Sequence, residues 1–460
     1  MAVEGALRLR YDPLPEDRMR FWLWLLPMLV LCMACAENGS SSDDDAADDD
    51  AAADDDAIDD DTTDDDATDD DTLPPRSFSL AAAPMQYEMG AWSIDTVFDT
   101  TGFDGLIDIL SMHSEFFGVP WDEFASGNPL PPAWVAAMED SKAQIEALGV
   151  GTFLSVTALD GMRTTLIPKA RDEDGKLVLE EDWVGPCFDF DASPDAAKWR
   201  EAYKSYVHWM VDFFNPRYLN NLIEMDLYTL NCADQYDSLI KLANEVYDQE
   251  KAERPNLIIF PSFVMSEYWG YDEGAGCEPP DHSCFEAALS RDANIKRDRY
   301  GVSSYPSYYI QEWGALPDDY YSALTDYTGE RVVFAEIGVG SRTVVAPFPT
   351  PDDPCTTLLY ETDATQAEFM QYLFEQANAL GSDLLTWWSL RDYLPPDMPA
   401  TCPCDAPGLW CVLYDAIEGA GLLPLWLMWG SMGALDYNGA AKPVMDVWQE
   451  WLARQVEDLI

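Results

Sequence analysis

Basic residues are scarce: 26 Lys and Arg stand against 85 Asp and Glu, for a formal charge of −59. The deficit is uneven, −1 over residues 1–42, −18 over 43–72 and −40 over 73–460, so the acidity belongs to the body of the chain as well as to one tract. A surface this negative repels phosphate backbones and anionic lipid, which argues against nucleic acid and leaves neutral partners. The apolar run FWLWLLPMLVLCMAC, residues 21–35, has only 15 residues, too short for a comfortable membrane span. A glycine-rich phosphate loop after the first strand-like run is lacking, which disfavours a dinucleotide fold. The CPC of residues 402–404 has no histidine or CxxC spacing nearby, which disfavours a metal centre. No cofactor is expected.

What is present begins with an export signal. Arg18 and Arg20 precede the apolar run, which has the length of a signal-peptide core. Its end, Ala34-Cys35, resembles the lipobox of bacterial lipoproteins, and by that resemblance Cys35 is acylated and becomes the mature N-terminus. Six Asp triplets come next, at spacings of five or six residues. They cannot bury apolar area, so the tract must stay solvated and self-repelling. Residues 1–35 therefore read as a lipoprotein-type signal peptide, 36–76 as a disordered Asp-rich linker and 77–460 as one folded domain. The expectation is a monomer at the bacterial cell envelope, on the outer membrane because Ala36 rather than Asp follows the cysteine, and touching the membrane only through its lipid anchor. Of ten cysteines, eight remain beyond Cys32 and Cys35, an even set after an export signal that implies disulfides. Cys277 with Cys284 is the plausible local pair, and the other connectivities stay open.

From residue 77, short apolar runs alternate with amphipathic stretches, the pattern of repeated βα units around a parallel sheet. Strands are expected at 79–87, 106–113, 151–159, 218–228, 256–264, 300–306, 331–337 and 383–390. Helices are expected near 131–149, 193 onward with Ser193 as N-cap, 233–251, 363–380 and 441–456. In the second of these, Trp199, Tyr203, Tyr206, Met210 and Phe213 form a core-facing stripe. Eight strands with interleaved helices predict a (β/α)₈ TIM barrel with long, disulfide-containing βα loops; a doubly wound open sheet is the alternative.

A barrel gives meaning to RVVFAEIGVGS, residues 331–341, where a buried apolar run ends in Glu336. Carboxylates at the C-terminal ends of barrel strands face the mouth, and Glu224 in NNLIEMDLY ends the fourth strand by the same logic. Two carboxyls facing each other across a sugar are what glycoside hydrolysis requires. Aromatic faces suit sugar C–H surfaces: Trp387 and Trp388 end strand eight, Tyr305 ends strand six, and Trp121, Trp269, Trp313 and Trp410 fall in expected loops. His113, Arg163 and Trp121 are candidates to line the sugar site.

The layout resembles the clan of retaining (β/α)₈ glycosidases with acid/base after strand four and nucleophile after strand seven. Relatives of the arabinogalactan endo-β-1,4-galactanases are the nearest match, through GVSSYP, FAEIGVGS, TWWSLRDY and the closing GALDYNGAAKPVMDVW. The resemblance implies that Glu336 is the nucleophile, Glu224 the acid/base, Tyr305 a hydrogen-bond partner of the nucleophile and Trp388 a platform under the sugar. One position departs from the clan pattern: Ile223 stands where an asparagine usually precedes the acid/base. The expected activity is retaining hydrolysis of a polysaccharide or oligosaccharide, galactanase-like, with a non-catalytic carbohydrate-binding lipoprotein as the alternative.

Overall fold

The computed structural model describes residues 73–84, 100, 102–181, 183–271, 277–308, 315–346, 356–359, 362–392 and 427–457. Residues 1–72, the signal and most of the linker with Cys35, and Cys355, Cys402, Cys404, Cys411, Trp313 and Trp410, lie outside them; residues 73–76, expected as the end of the linker, are described, and Arg76 is buried with its backbone N–H donating to the Gln455 carbonyl at 2.9 Å.

The barrel strands are β1 (Ser79–Ala82), β2 (Ile109–His113), β3 (Gly151–Ser155), β4 (Tyr218–Asn220), β5 (Ile258–Phe260 and Ser262–Val264), β6 (Tyr300–Ser304), β7 (Val332–Ile337) and β8 (Leu384–Trp387). All pair in parallel, each with its sequence neighbours, and β1 pairs with β8. Strand β5 is split at Pro261, which has no N–H for a ladder. Its first half pairs with β4 and its second with β6, so the ring of strands closes through the proline. All eight expected strands are present. The strands β1, β3, β4, β6 and β8 stop earlier than their apolar patterns do, because the ladder ends where the chain turns into the mouth, whereas β2, β5 and β7 end at the expected residue and begin later.

Helices α1 (Pro132–Leu148), α2 (Ala196–Phe214), α3 (Tyr236–Glu253), α4 (His282–Arg291), α5 (Ser322–Thr328), α6 (Asp363–Ala379) and α7 (Val444–Leu452) lie between or after the strands. On α2, Trp199, Tyr203, Tyr206 and Met210 face inward as expected, with Phe214 rather than Phe213 ending the stripe. Ser193 is not the N-cap. Its hydroxyl accepts the Asp189 N–H at 2.8 Å in a preceding turn, and α2 begins only at Ala196.

Inside the barrel, Ile109, Phe153, Tyr218, Phe260, Val333 and Leu384 belong to one closed apolar cluster. Gly301 makes that floor possible, since a Cβ there would lie 2.6 Å from the Phe260 ring and from the Pro261 carbonyl. Two residues further along their strands, on the same inward face, come Ser111, Ser155, Asn220, Ser262, Ser303 and Thr386, all buried. A polar layer thus separates the apolar floor from the mouth.

Candidate active site

Above that layer converge His113 at the end of β2, Arg163 after β3, Glu224 after β4, Tyr305 after β6, Glu336 near the end of β7 and Trp388 after β8. Each is aimed by its backbone. Strict alternation would point Glu336 outward, because Val333 and Ala335 both belong to the interior cluster. The pairing of β7 with β6 shifts there, from Phe334 opposite Val302 to Glu336 opposite Ser303. A bulge of this kind inserts one extra residue and re-aims the side chains beyond it. Glu336 therefore faces inward beside Ser303.

Glu224 lies four residues beyond β4, not at its end as the run LIEMDLY suggested. It takes a left-handed conformation, φ 47°, ψ 46°, which side chains other than Asn and Gly seldom adopt. Its N–H donates to Ser262 Oγ at 3.0 Å, and Ser262 also accepts Asn220 Nδ2 at 2.9 Å, tying the turn to β5. Arg163 is left-handed as well, φ 52°, in a turn where Asp160 Oδ1 accepts the N–H groups of Thr164 and Thr165 at 2.7 and 3.1 Å. The two strained residues meet: Arg163 Nη2 lies 3.3 Å from Glu224 Oε2, while Nη1 lies 3.3 Å from Glu115 Oε2. Strain of this sort, about 1–3 kcal/mol per residue, persists only where surroundings over-determine it. A disulfide contributes here. Cys187, whose N–H donates to the Thr164 carbonyl at 2.8 Å, is bonded to Cys232 in the short helix just after Glu224, so a segment hydrogen-bonded to the Arg163 turn is covalently joined to the Glu224 segment. Cys277 and Cys284 form the expected local disulfide after β5.

The Tyr305 hydroxyl donates to Glu336 Oε1. The His113 ring stands edge-on to Trp388, centroids 4.7 Å apart, and neither of its nitrogens has a hydrogen-bond partner among the described residues. Burial, then Arg163, push this imidazole down to about 3, so it is neutral at any ordinary pH and can both donate and accept. The Trp388 indole N–H is likewise unpartnered among the described residues.

Both carboxyls are shifted upward. For Glu336 burial is the main cause and the charge of Glu224 the next, opposed by the Tyr305 hydroxyl. For Glu224 burial again leads, opposed by Arg163 and reinforced by Glu115. Glu336 is buried and Glu224 partly so, and the charge of Glu224 disfavours ionisation of Glu336.

Trp121 is not in this assembly. It is fully buried in a short helix, Trp121–Ser126, its indole donates to the Ile167 carbonyl at 3.2 Å, and it packs on Trp183, Trp199 and Tyr203. Trp269 is core too, donating to the Tyr320 carbonyl. Both stretches were expected as loops because they are short and flanked by turn residues, yet each packs as a helix end. Conversely, Trp429 was not foreseen. It lies 6.1 Å from Tyr305 and 6.4 Å from Trp388 by ring centroids, carried by a segment anchored where buried Lys442 bonds Asp392 and Ser341 at 2.9 and 3.0 Å. Glu115 was also missed. Only the stretch MHSEFFGVPW hinted at it, through polar residues directly after a strand.

Asp226, the other carboxyl of the NNLIEMDLY stretch, is turned away from the mouth: both its oxygens accept the Val264 N–H, at 3.1 and 3.0 Å, near Arg291 and Asp292.

No protein-family model and no curated protein matches the chain. Solved structures similar to it include a GH5_18 variant from Streptomyces cattleya in complex with Manb1-4GlcNAc, 13% identical with a TM-score of 0.49, covering 82% of this chain and 80% of that one. A fungal β-1,4-galactanase is 12% identical with a TM-score of 0.42, covering 75% and 88%. Bacteroides uniformis β-glucuronidase 2 is 12% identical with a TM-score of 0.45, and the match covers 82% of this chain but only 35% of that longer one. At these levels the likeness carries no argument about chemistry, which must come from the side chains.

Asp226 offers a pH test of the buried framework. Burial raises its carboxyl from 3.8 to about 8, so the folded state holds a proton that the unfolded state releases. That contribution to stability is complete below pH 4 and is lost as pH rises toward 8. Relative to wild type, Asp226→Asn should therefore gain stability steadily between pH 4 and 8 in urea midpoints; a constant offset between the two curves would refute the assignment.

Proposed function

We propose that this chain is a retaining glycoside hydrolase that cleaves a polysaccharide or oligosaccharide, galactanase-like in its motifs. The observation that carries the reading is the pair Glu224 and Glu336: the first partly buried and the second buried, the charge of one acting on the other, and supplied from opposite sides of the barrel mouth with a tyrosine hydroxyl on Glu336 and an arginine on Glu224. Glu336 attacks the anomeric carbon while Glu224 gives its proton to the leaving oxygen; water, deprotonated by Glu224, then releases the sugar from the glycosyl ester. On this reading the resting pair carries one proton, in line with the upward shift of both carboxyls. Positive charge developing on the sugar favours ionised Glu336, and the proton then belongs to Glu224. His113 and the indole N–H groups of Trp388 and Trp429 supply buried polar atoms, without partners among the described residues, for sugar hydroxyls.

Ile223 favours the second reading, a binding protein without catalysis. It is 1% exposed, and the neighbouring Asn220 and Asn221 spend their amides on Ser262 and the Ala243 carbonyl, so the side-chain donor usual before the acid/base is missing. Reducing-end release from a panel of neutral polysaccharides separates the two readings.

Export and tethering through Cys35, with the Asp-rich tract as a spacer, form part of the proposal; their support is the Ala34-Cys35 junction and the composition of residues 43–72. Cys35→Ser should release the protein from membranes after a high-salt wash, and unchanged retention would sink the lipid anchor.

For the chemistry, Glu336→Gln should abolish turnover while leaving the fold intact. Glu224→Ala should lower activity on natural substrates about 10²–10⁴-fold, yet spare the first step for aryl glycosides with acidic leaving groups. Azide should then restore turnover by attacking the intermediate without a base. Equal losses on both substrate types, with no azide effect, would remove Glu224 from this role.

A further inference from the structure

Four carboxyls, Glu115, Glu224, Asp160 and Glu336, influence the guanidinium of Arg163. Its side chain is 4% exposed and its placement is fixed independently of Glu224: Nη1 donates to the Asp160 carbonyl at 2.7 Å, and the turn that carries it is tied by Asp160 and by the neighbouring disulfide. The guanidinium therefore does not choose its partner by moving. It is divided, with Nη1 toward Glu115 and Nη2 toward Glu224, both at 3.3 Å.

We propose that Glu115 is a positioning residue that occupies one edge of the Arg163 guanidinium, so that Glu224 meets a half-neutralised cation and keeps its proton in the resting enzyme. The inference rests on Glu224 being the acid/base. An undivided arginine beside a carboxyl favours the ionised form, by about one to three pH units. A general acid in that state is already spent. Placing a second carboxylate on the other edge of the same arginine weakens that pull, and the added negative charge also acts directly on Glu224 and Glu336 in the same direction. The charged or titratable groups facing Glu115 are Tyr206 on α2, Arg163 after β3, Glu224 after β4 and Glu336 on β7, while His113 on the preceding strand faces Arg163. His113 is neutral and Tyr206 is pushed upward by its burial, so near neutral pH the balance lies among the carboxyls and the arginine.

Glu115→Gln keeps the shape and an oxygen toward Arg163 while removing the charge; Glu115→Asp keeps the charge. The first readout is the pH profile of kcat/KM on a natural-type substrate. In Glu115→Gln its alkaline limb, which reports the free enzyme's acid, should move down by about one unit. Glu115→Asp should leave the limb near its wild-type position. The second readout needs no activity: urea midpoints between pH 4 and 8. A raised carboxyl makes stability fall as pH rises, so Glu115→Gln should flatten that fall, and the flattening should shrink in a Glu224→Gln background.

A Glu115→Gln variant whose activity drops at every pH with both limbs in place would make Glu115 a structural residue only. An unchanged stability slope would overturn the proposal outright. A flattened slope with no loss of activity in Glu224→Gln would leave the arginine-sharing intact and remove Glu224 as the acid.

Discussion

Several carboxyls are held against an apolar barrel with a single guanidinium among them, and most of what surrounds the mouth is a consequence of that constraint. A buried carboxylate without compensation costs several kcal/mol, so each must be paired, hydrogen-bonded or protonated. Glu224 and Glu115 pair with Arg163, Glu336 takes the Tyr305 hydroxyl, and burial pushes Glu224 and Glu336 toward the protonated form. The arginine cannot serve them unless it is placed without freedom. That accounts for the Asp160 turn, the left-handed backbone at residue 163 and a disulfide that joins its loop to the segment after Glu224.

The architecture was legible because a parallel barrel advertises itself: strands buried on both faces read as short apolar runs, and the helices between them as amphipathic ones. All eight runs became strands, with ends one to several residues shorter than drawn. The largest error has a physical cause. LIEMDLY continues the apolar pattern past Asn220, but Leu222, Ile223 and Met225 are buried by a turn and a single 3₁₀ turn rather than by a ladder, and burial alone leaves the same mark on composition. Glu224 was named for a position it does not occupy and still reaches the site.

Glu336 shows the complementary case. Its place late in a buried run was visible, but the direction of its side chain depends on a bulge that composition does not encode, since Ala335 reads like any interior residue. Trp121 failed for the opposite reason. An aromatic near turn residues looks available to a ligand, whereas packing on Trp183, Trp199 and Tyr203 needs partners tens of residues away. Trp429, Glu115 and the Cys187–Cys232 pairing share that dependence: each gains its role from a long-range neighbour that no local pattern can announce.

The polar layer under the site sets how freely the carboxyls can ionise. Ser111, Ser155 and Thr386 have hydroxyls with no hydrogen-bond partner among the described residues, although all three are buried. Small hydroxyl side chains in this tier leave space where larger apolar ones would fill it, and buried polar groups of this kind are commonly satisfied by ordered water. Interior apolar residues carried up to the carboxyls would raise the cost of ionising either one and suppress exchange of the proton between them. A tier of hydroxyls does the reverse. It gives Glu336 and Glu224 polar neighbours below them, so the barrel keeps its apolar packing one layer beneath the carboxyls.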